Sequence, residues 1–345
     1  MEVKSDASEG LGPNRIPCQP MAFAACRRLI GASYRDFCLN PKITVKALLA
    51  GFDFMSLREG ERGICPFVDL SIEASGFGQK IVYPNDSTPH PDYADPLVKD
   101  VSDYRKLRRV ELKEADRMQN MVEMIRLLVG EEGRRVIVGG FCLGPLAVLN
   151  MMRGPDQLFR DCVNHPVEVM AALETITGTL VEYVEAQCDA GAIGVALDTL
   201  FASWNGLSRR LWEQIEAPFA HELAESIRRK QGSVFVHNCG HGIYLDLQLR
   251  SMEPDLVSFA HLPDDCSSRK ELKARYGDQT MLQGHVSTAL LSYGTPEQIM
   301  QECREQIEDL AHGGKGYVLA PGCEFPPNAP LENLIAMLRA AEIYA

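Results

Sequence analysis

The sequence has no apolar run of about 18 residues or more, so no segment reads as a membrane-spanning helix. Its opening stretch, residues 1–15, has no apolar core of the kind a secretory signal carries. Residues 1–14 read as a disordered polar start. There is no excess of basic residues: 35 Lys and Arg stand against 47 Asp and Glu, a formal charge of −12. Such a surface repels a phosphate backbone, which argues against nucleic-acid binding. No repeat and no low-complexity tract occurs, and no two cysteines have the two-residue spacing of a zinc finger. The run Gly139-Gly140-Phe141-Cys142-Leu143-Gly144-Pro145 lacks the lysine and hydroxyl residue of a phosphate loop.

Cysteines, by contrast, number eleven, widely scattered. Without an export signal they are expected as reduced thiols in the cytoplasm, some available to metal and the rest acting as small buried hydrophobes. The chain is also long and apolar: 345 residues, 46% of them hydrophobic, enough for one large core.

Short Val/Ile/Leu-rich runs alternate with helical stretches. The predicted strands are 67–74, 136–141, 192–198, 233–239, 256–261, 280–286 and 316–320, with an eighth near 51–57. Helices are expected at 41–50, 114–130, 166–190, 208–230, 295–312 and 330–343, several opening on a capping residue or on proline. Eight strands alternating with helices predict a single α/β domain, a (β/α)8 TIM barrel over 15–345. Residues 75–111, rich in Pro, Asp and Tyr, break the rhythm. They are expected to form an elaborated connection over the barrel mouth, with a hairpin near 78–84.

Barrel active sites gather at the C-terminal ends of the strands. Polar residues at those ends are Glu73, Cys142, Asp198, His237, Cys239, His261, His285 and Cys323. His237 and Cys239 are two apart and can face the same side of a strand. Cys323 follows the last strand, and inward side chains of a small barrel converge near its axis. One imidazole and two thiolates suit zinc and leave a fourth position open, as a catalytic zinc needs. A core histidine with two buried cysteines is the other reading of the same residues. Asp198 and Glu73 are candidate catalytic carboxylates; the other readings are a helix cap or solvated loop acid for Asp198 and, for Glu73, a position where it and Asp69 face different sides. His241 lies near the site by sequence and His285 ends a strand, and both are candidates to line a substrate site. Phe141, Trp204 and Tyr244, with Phe23, Tyr83, Tyr93 and Phe201, supply aromatic surface near the mouth.

Residues 285–344 resemble the C-terminal third of the uroporphyrinogen decarboxylase superfamily, and look most like its corrinoid-dependent methyltransferase branch. The carrying elements are His237-Asn238-Cys239-Gly240, Gly294-Thr295-Pro296-Glu297, Pro321-Gly322-Cys323 and Pro330-Leu331-Glu332-Asn333. Weaker likeness extends through Glu73, 140–145 and Asp198, so most of the chain from Arg15 onward takes part. The resemblance implies zinc on His237, Cys239 and Cys323. It also implies methyl transfer to or from a corrinoid carried by a separate protein, since this chain shows no cobalamin-ligating motif of its own.

The chain departs from the decarboxylases at 15–23. Arg15 and Pro17 remain, but the further arginines that would clamp a polycarboxylate substrate are missing. Two methyltransferase roles stay open. In one a thiol such as coenzyme M accepts the methyl group; in the other a methyl ether, often aromatic, donates it to cobalt. The aromatic residues and the lack of an evident arginine clamp for a sulfonate favour the methyl ether and an O-demethylase. Decarboxylation, and a non-catalytic barrel that merely holds zinc, are the remaining alternatives.

Overall fold

A computed structural model describes residues 16–55, 63–130 and 136–344; Arg15 and the polar start at 1–14 lie outside them. The strands are β1 (Gly63–Ile64), β2 (Ile81–Val82), β3 (His90–Pro91), β4 (Ile137–Val138), β5 (Gly140–Leu143), β6 (Gly194–Asp198), β7 (Ser233–Asn238), β8 (Leu256–Phe259), β9 (Met281–Val286) and β10 (Tyr317–Pro321). Six of them form one parallel sheet in the order β10-β9-β8-β7-β6-β5, and β1 pairs in parallel with β4.

These two sheets are parts of one ring. Only Gly139 separates β4 from β5, so together they make a single stave that pairs with β1 at its start and β6 at its end. On the far side, residues 17–19 run beside β10. Leu319 donates its N–H to Pro17 (2.9 Å), and Gln19 donates its own to Leu319 (2.8 Å). The last seam is closed by a side chain, Gln19 Nε2 reaching the Gly63 carbonyl at 3.0 Å. Eight staves result, and helices lie between and outside them as the βα alternation requires.

The helices match the sequence periodicity closely at Asp116–Val129, Pro166–Asp189, Pro296–Leu310 and Leu331–Ile343. Pro296–Leu310 begins on a reciprocal cap in which Thr295 and Gln298 satisfy each other's backbone N–H. The stretch 208–230 is two helices, Arg209–Ile215 and Ala217–Arg229, divided at Glu216. No helix of the described residues is long and apolar enough to cross a membrane.

Two predicted strands are helical. Residues 51–54 complete the helix Pro41–Phe54, while 56–57 lie outside the described residues. In 67–74 the chain turns into the short helix Ile72–Gly76. The staves that take their places are 17–19 and β1, too short to show a hydrophobic run. The hairpin is present but wider than 78–84, pairing Ile81 with Pro91 and Val82 with His90.

Gln187, on the helix Pro166–Asp189, stands in for a missing strand partner at β5. It accepts the Phe141 N–H (2.9 Å) and donates to the Phe141 carbonyl (3.0 Å) while fully buried. A Cβ at Gly140 would run into its Oε1, so the neighbouring glycine makes room for this bond pair. Replacing Gln187 with Leu would orphan both backbone groups. The expected loss is about 2–4 kcal/mol of unfolding free energy, read by urea denaturation.

Candidate active site

At the C-terminal rim, β7 delivers His237 and, just past its end, Cys239, while the turn after β10 delivers Cys323. These strands are not neighbours, yet the ligand atoms of the three residues all lie within 4.8 Å of one another. Tetrahedral zinc bonds of the usual length need N and S atoms roughly 3.3–3.8 Å apart, so a small contraction suffices. The residues therefore fit the ion that the sequence implied.

Local backbone chemistry sets this geometry. Asn238 Nδ2 donates to the carbonyls of Thr199 (3.0 Å) and Ala202 (3.1 Å), and its Oδ1 accepts the Gly240 N–H (2.9 Å). One side chain thus fastens the loop after β7 to the loop after β6. Gly240 packs against Ser203, and Gly322 packs on the backbone of Ala260; a Cβ at either position would collide. His237 is paired across the ladder with Ser258, and its Nδ1 shares a 3.1 Å hydrogen bond with Ser258 Oγ. That bond fixes the ring and leaves Nε2 as the free ligand atom.

The three groups influence one another's protonation. A hydrogen bond from the Cys239 thiol holds Cys323 well below the ordinary thiol range, and His237 adds to the effect. The same bond and burial push Cys239 up. Burial works against a charged His237, but the bond to Cys323 and the charge there raise its pKa overall.

Asp198, at the end of β6, lies across the ladder from His237. Its Oδ1 has no hydrogen-bond partner, and burial lifts its pKa to about 6, with Cys323 adding and His237 opposing.

Below this rim the barrel encloses a cavity of about 450 Å³, which His237, Cys239, Cys323 and Asp198 all line. Most of the rest of its wall is apolar, including Phe23, Phe67, Phe141 and Phe235. Phe67 meets Phe23 at 5.7 Å and Phe141 at 4.8 Å between ring centres, both tilted. No Lys or Arg among the described residues lines it.

Of the substrate residues named from sequence, Phe141 is on this wall and the other four are not. His241 stacks on His261 with ring centres 3.6 Å apart. His285 stacks on Phe259, its Nε2 unpartnered and its pKa pushed down to about 4 by burial. Trp204 is 67% exposed. Tyr244 is buried, donating to the Leu207 carbonyl (2.9 Å) under the Arg209 guanidinium.

Glu73 sits on a helix rather than a strand end and does not line the cavity. Its Oε1 accepts the Leu143 N–H at 3.0 Å, and its Oε2 has no partner.

Ser258, Gln283 and Glu324 line the cavity and were not singled out from sequence. A signal was there. Ser258 and Gln283 are polar residues inside apolar strand runs, and Glu324 directly follows Cys323. Burial pushes Glu324 up to about 8, with the Ala24 N–H opposing and Cys323 adding.

The fold agrees with comparisons to known proteins. A family model described as uroporphyrinogen decarboxylase (URO-D) matches residues 5–344. The chain belongs to that family. Among its relatives is a methylcobamide:CoM methyltransferase, MtbA, of Methanosarcina acetivorans. It is 24% identical over 282 residues, covering 81% of this chain and 78% of that protein. A uroporphyrinogen decarboxylase of Pelobacter propionicus is 23% identical, covering 90% and 87%. The solved structure of a methyltransferase from Methanosarcina mazei superposes with a TM-score of 0.77 at 23% identity. It covers 98% of this chain and 97% of its own, which establishes the shared fold. The relatives thus include the methyltransferase branch that the sequence resembles.

Burial raises the Glu73 pKa from 4.5 to about 7, against the pull of the Leu143 N–H. Between those values the folded state keeps a proton that the unfolded chain releases. Stability therefore falls as pH rises through that window, by up to about 1.4 kcal/mol per pH unit. Glu73→Gln should lessen this slope between pH 5 and 8 in urea denaturation, with Asp198 and Glu324 supplying part of what remains. An unchanged slope would assign it to other groups.

Proposed function

We propose that this protein is a corrinoid-dependent methyltransferase that uses zinc on His237, Cys239 and Cys323. It takes a methyl group from an uncharged, aromatic methyl ether, and the acceptor is the cobalt of a separate corrinoid protein. The observation that carries this reading is a three-ligand cluster at the head of a largely apolar cavity with no Lys or Arg on its described wall. An aromatic ether fits such a wall, and the tilted phenylalanines supply ring edges and faces for it.

Each protein group has a task. Held by His237, Cys239 and Cys323, zinc would supply Lewis acidity toward an oxygen or sulfur atom of the substrate. Ser258 keeps the His237 ring turned so that Nε2 faces the site. Asn238, Gly240 and Gly322 hold the two thiols at one point. Asp198 Oδ1, unpartnered and with a pKa near the working range, holds the proton that the leaving oxygen finally takes. Phe23, Phe67 and Phe141 exclude water and fix the ring.

The second reading is methyl transfer to a thiol, favoured by the relatives named methylcobamide:CoM methyltransferases. A sulfonated thiol would need a fixed cation, and a tetrapyrrole with many carboxylates would need several. That absence weighs against both the thiol and decarboxylation. All eleven cysteines are free, in keeping with a reducing cytoplasm.

Incubation with a reduced corrinoid protein and a panel of methoxybenzenes should produce methyl-cobalt, seen in its visible spectrum. Prior removal of the metal by a chelator should stop it. Transfer only from methyl-cobalt to a thiol would select the second reading.

A further inference from the structure

We infer that the cavity is a passage open at both ends of the barrel. Its lower opening, bordered by Ile193, lets small molecules come and go while a corrinoid protein covers the upper one. The inference rests on the methyl-ether reading of the site and adds the route by which donor and product exchange.

The cavity runs the length of the strands. At the C-terminal rim it touches Asp198 and Cys323. At the other end it touches Ile137 and Leu256, the first residues of β4 and β8, and Ile193, which immediately precedes β6. The stretch from Ile193 to Asp198 is about 16 Å of extended chain. A barrel of this kind is ordinarily filled along its axis by layers of bulky side chains. Here Gly139 and Ala196 stand on the cavity wall, and a Cβ at Gly139 would meet no atom within 4 Å. Space is left where bulk would otherwise close the axis.

Each end borders a residue that is open to solvent. Above, the cavity touches Thr88, an exposed residue between β2 and β3 on the connection that follows β1. Below, it touches Ile193, which is 49% exposed. A pocket with one mouth needs only one such residue; a passage needs one at each end. The backbone of Ile193 is fixed while its side chain is not buried. Its N–H donates to the Val138 carbonyl (2.9 Å), and its own carbonyl accepts the Ser233 N–H (2.9 Å). The side chain is thereby held at the lower rim between β4 and β7, where a change of bulk alters the opening and spares the sheet.

The lower end is chemically suited to passage. Ile137, Ile193, Phe235 and Leu256 line it with apolar side chains. An uncharged ring crosses such a throat without leaving a polar group unpaired, whereas an ion would have to shed its water. The site's geometry also calls for a second route. The triad lies at the C-terminal rim, so cobalt can meet a methyl group there only if its carrier sits over that rim. A carrier in that position covers the upper opening, and the demethylated product then leaves from below.

Fluorine NMR exchange of 4-fluoromethoxybenzene tests this on the zinc-loaded protein. It is measured alone and with a corrinoid protein in its methylated form, which accepts no further methyl group. The parent should go on exchanging the ether with the partner bound. Ile193→Trp, which plugs the lower opening, should slow exchange about twofold in the free protein, where the upper route remains, and about tenfold or more with the partner bound. A plug alters neither the empty nor the occupied site, so entry and exit should slow together at an unchanged dissociation constant. Ile193→Ala, which cannot fail by overcrowding, should speed both. Three results overturn the inference and leave the methyl-ether reading standing. They are loss of exchange in the parent when the partner binds, partner-bound exchange unslowed in Ile193→Trp, or a weakened dissociation constant in place of slowed rates. Failure of the ether to bind the parent at all would sink both.

Discussion

Two thiols and an imidazole on strands that are not neighbours meet within 4.8 Å, and the rest of the site is arranged around that meeting. A parallel barrel makes it possible, because every strand ends on the same face and inward positions converge on one axis. Two glycines let the loops that carry the cysteines pack closely: Gly322 lets the turn after β10 lie on Ala260, and Gly240 lets the loop after β7 lie on Ser203. Asn238 then ties that loop to the one after β6, and Ser258 locks the imidazole. A side chain at either glycine would collide with Ser203 or with Ala260.

The cavity beneath the triad has its own logic. The chain has ample cations, and many of the described ones pair away from the cavity, as Arg269 does with Glu302, Glu305 and Asp309. Buried Arg117 is held by Asp69. None of the described ones faces the cavity. What faces it is aromatic and aliphatic surface with two carboxyl groups near the rim. Such a space suits an uncharged ring better than a sulfonate or a polycarboxylate, which is the ground for the proposed methyl-ether substrate.

Much of this was legible beforehand. The histidine–cysteine spacing, the distant third ligand and Asp198 all came from asking which polar residues end apolar runs, and the structure places all four together. The long helices were legible because their apolar faces repeat over several turns. The first two staves were not. Residues 17–19 and 63–64 are too short for any pattern, and their pairing with Leu319 and Ile137 is a purely tertiary event. That miss moved Glu73 from an imagined strand end to a helix in the wall. The aromatic mouth was only partly read. Nearness in sequence to Cys239 suggested His241, but that loop turns its ring outward onto His261. Phe67 and Phe235, far from any motif, do line the cavity.

The central claim is that His237, Cys239 and Cys323 hold a zinc ion with one open position. X-ray absorption at the zinc edge of the purified protein tests it most directly. The predicted signal is two sulfur neighbours at about 2.3 Å, one imidazole nitrogen at about 2.0–2.1 Å and one light atom that exchanges with added ligand. Cys239→Ala combined with Cys323→Ala should remove the metal. Full zinc retention in that double variant, or a closed shell of four protein ligands in the parent, would contradict the account.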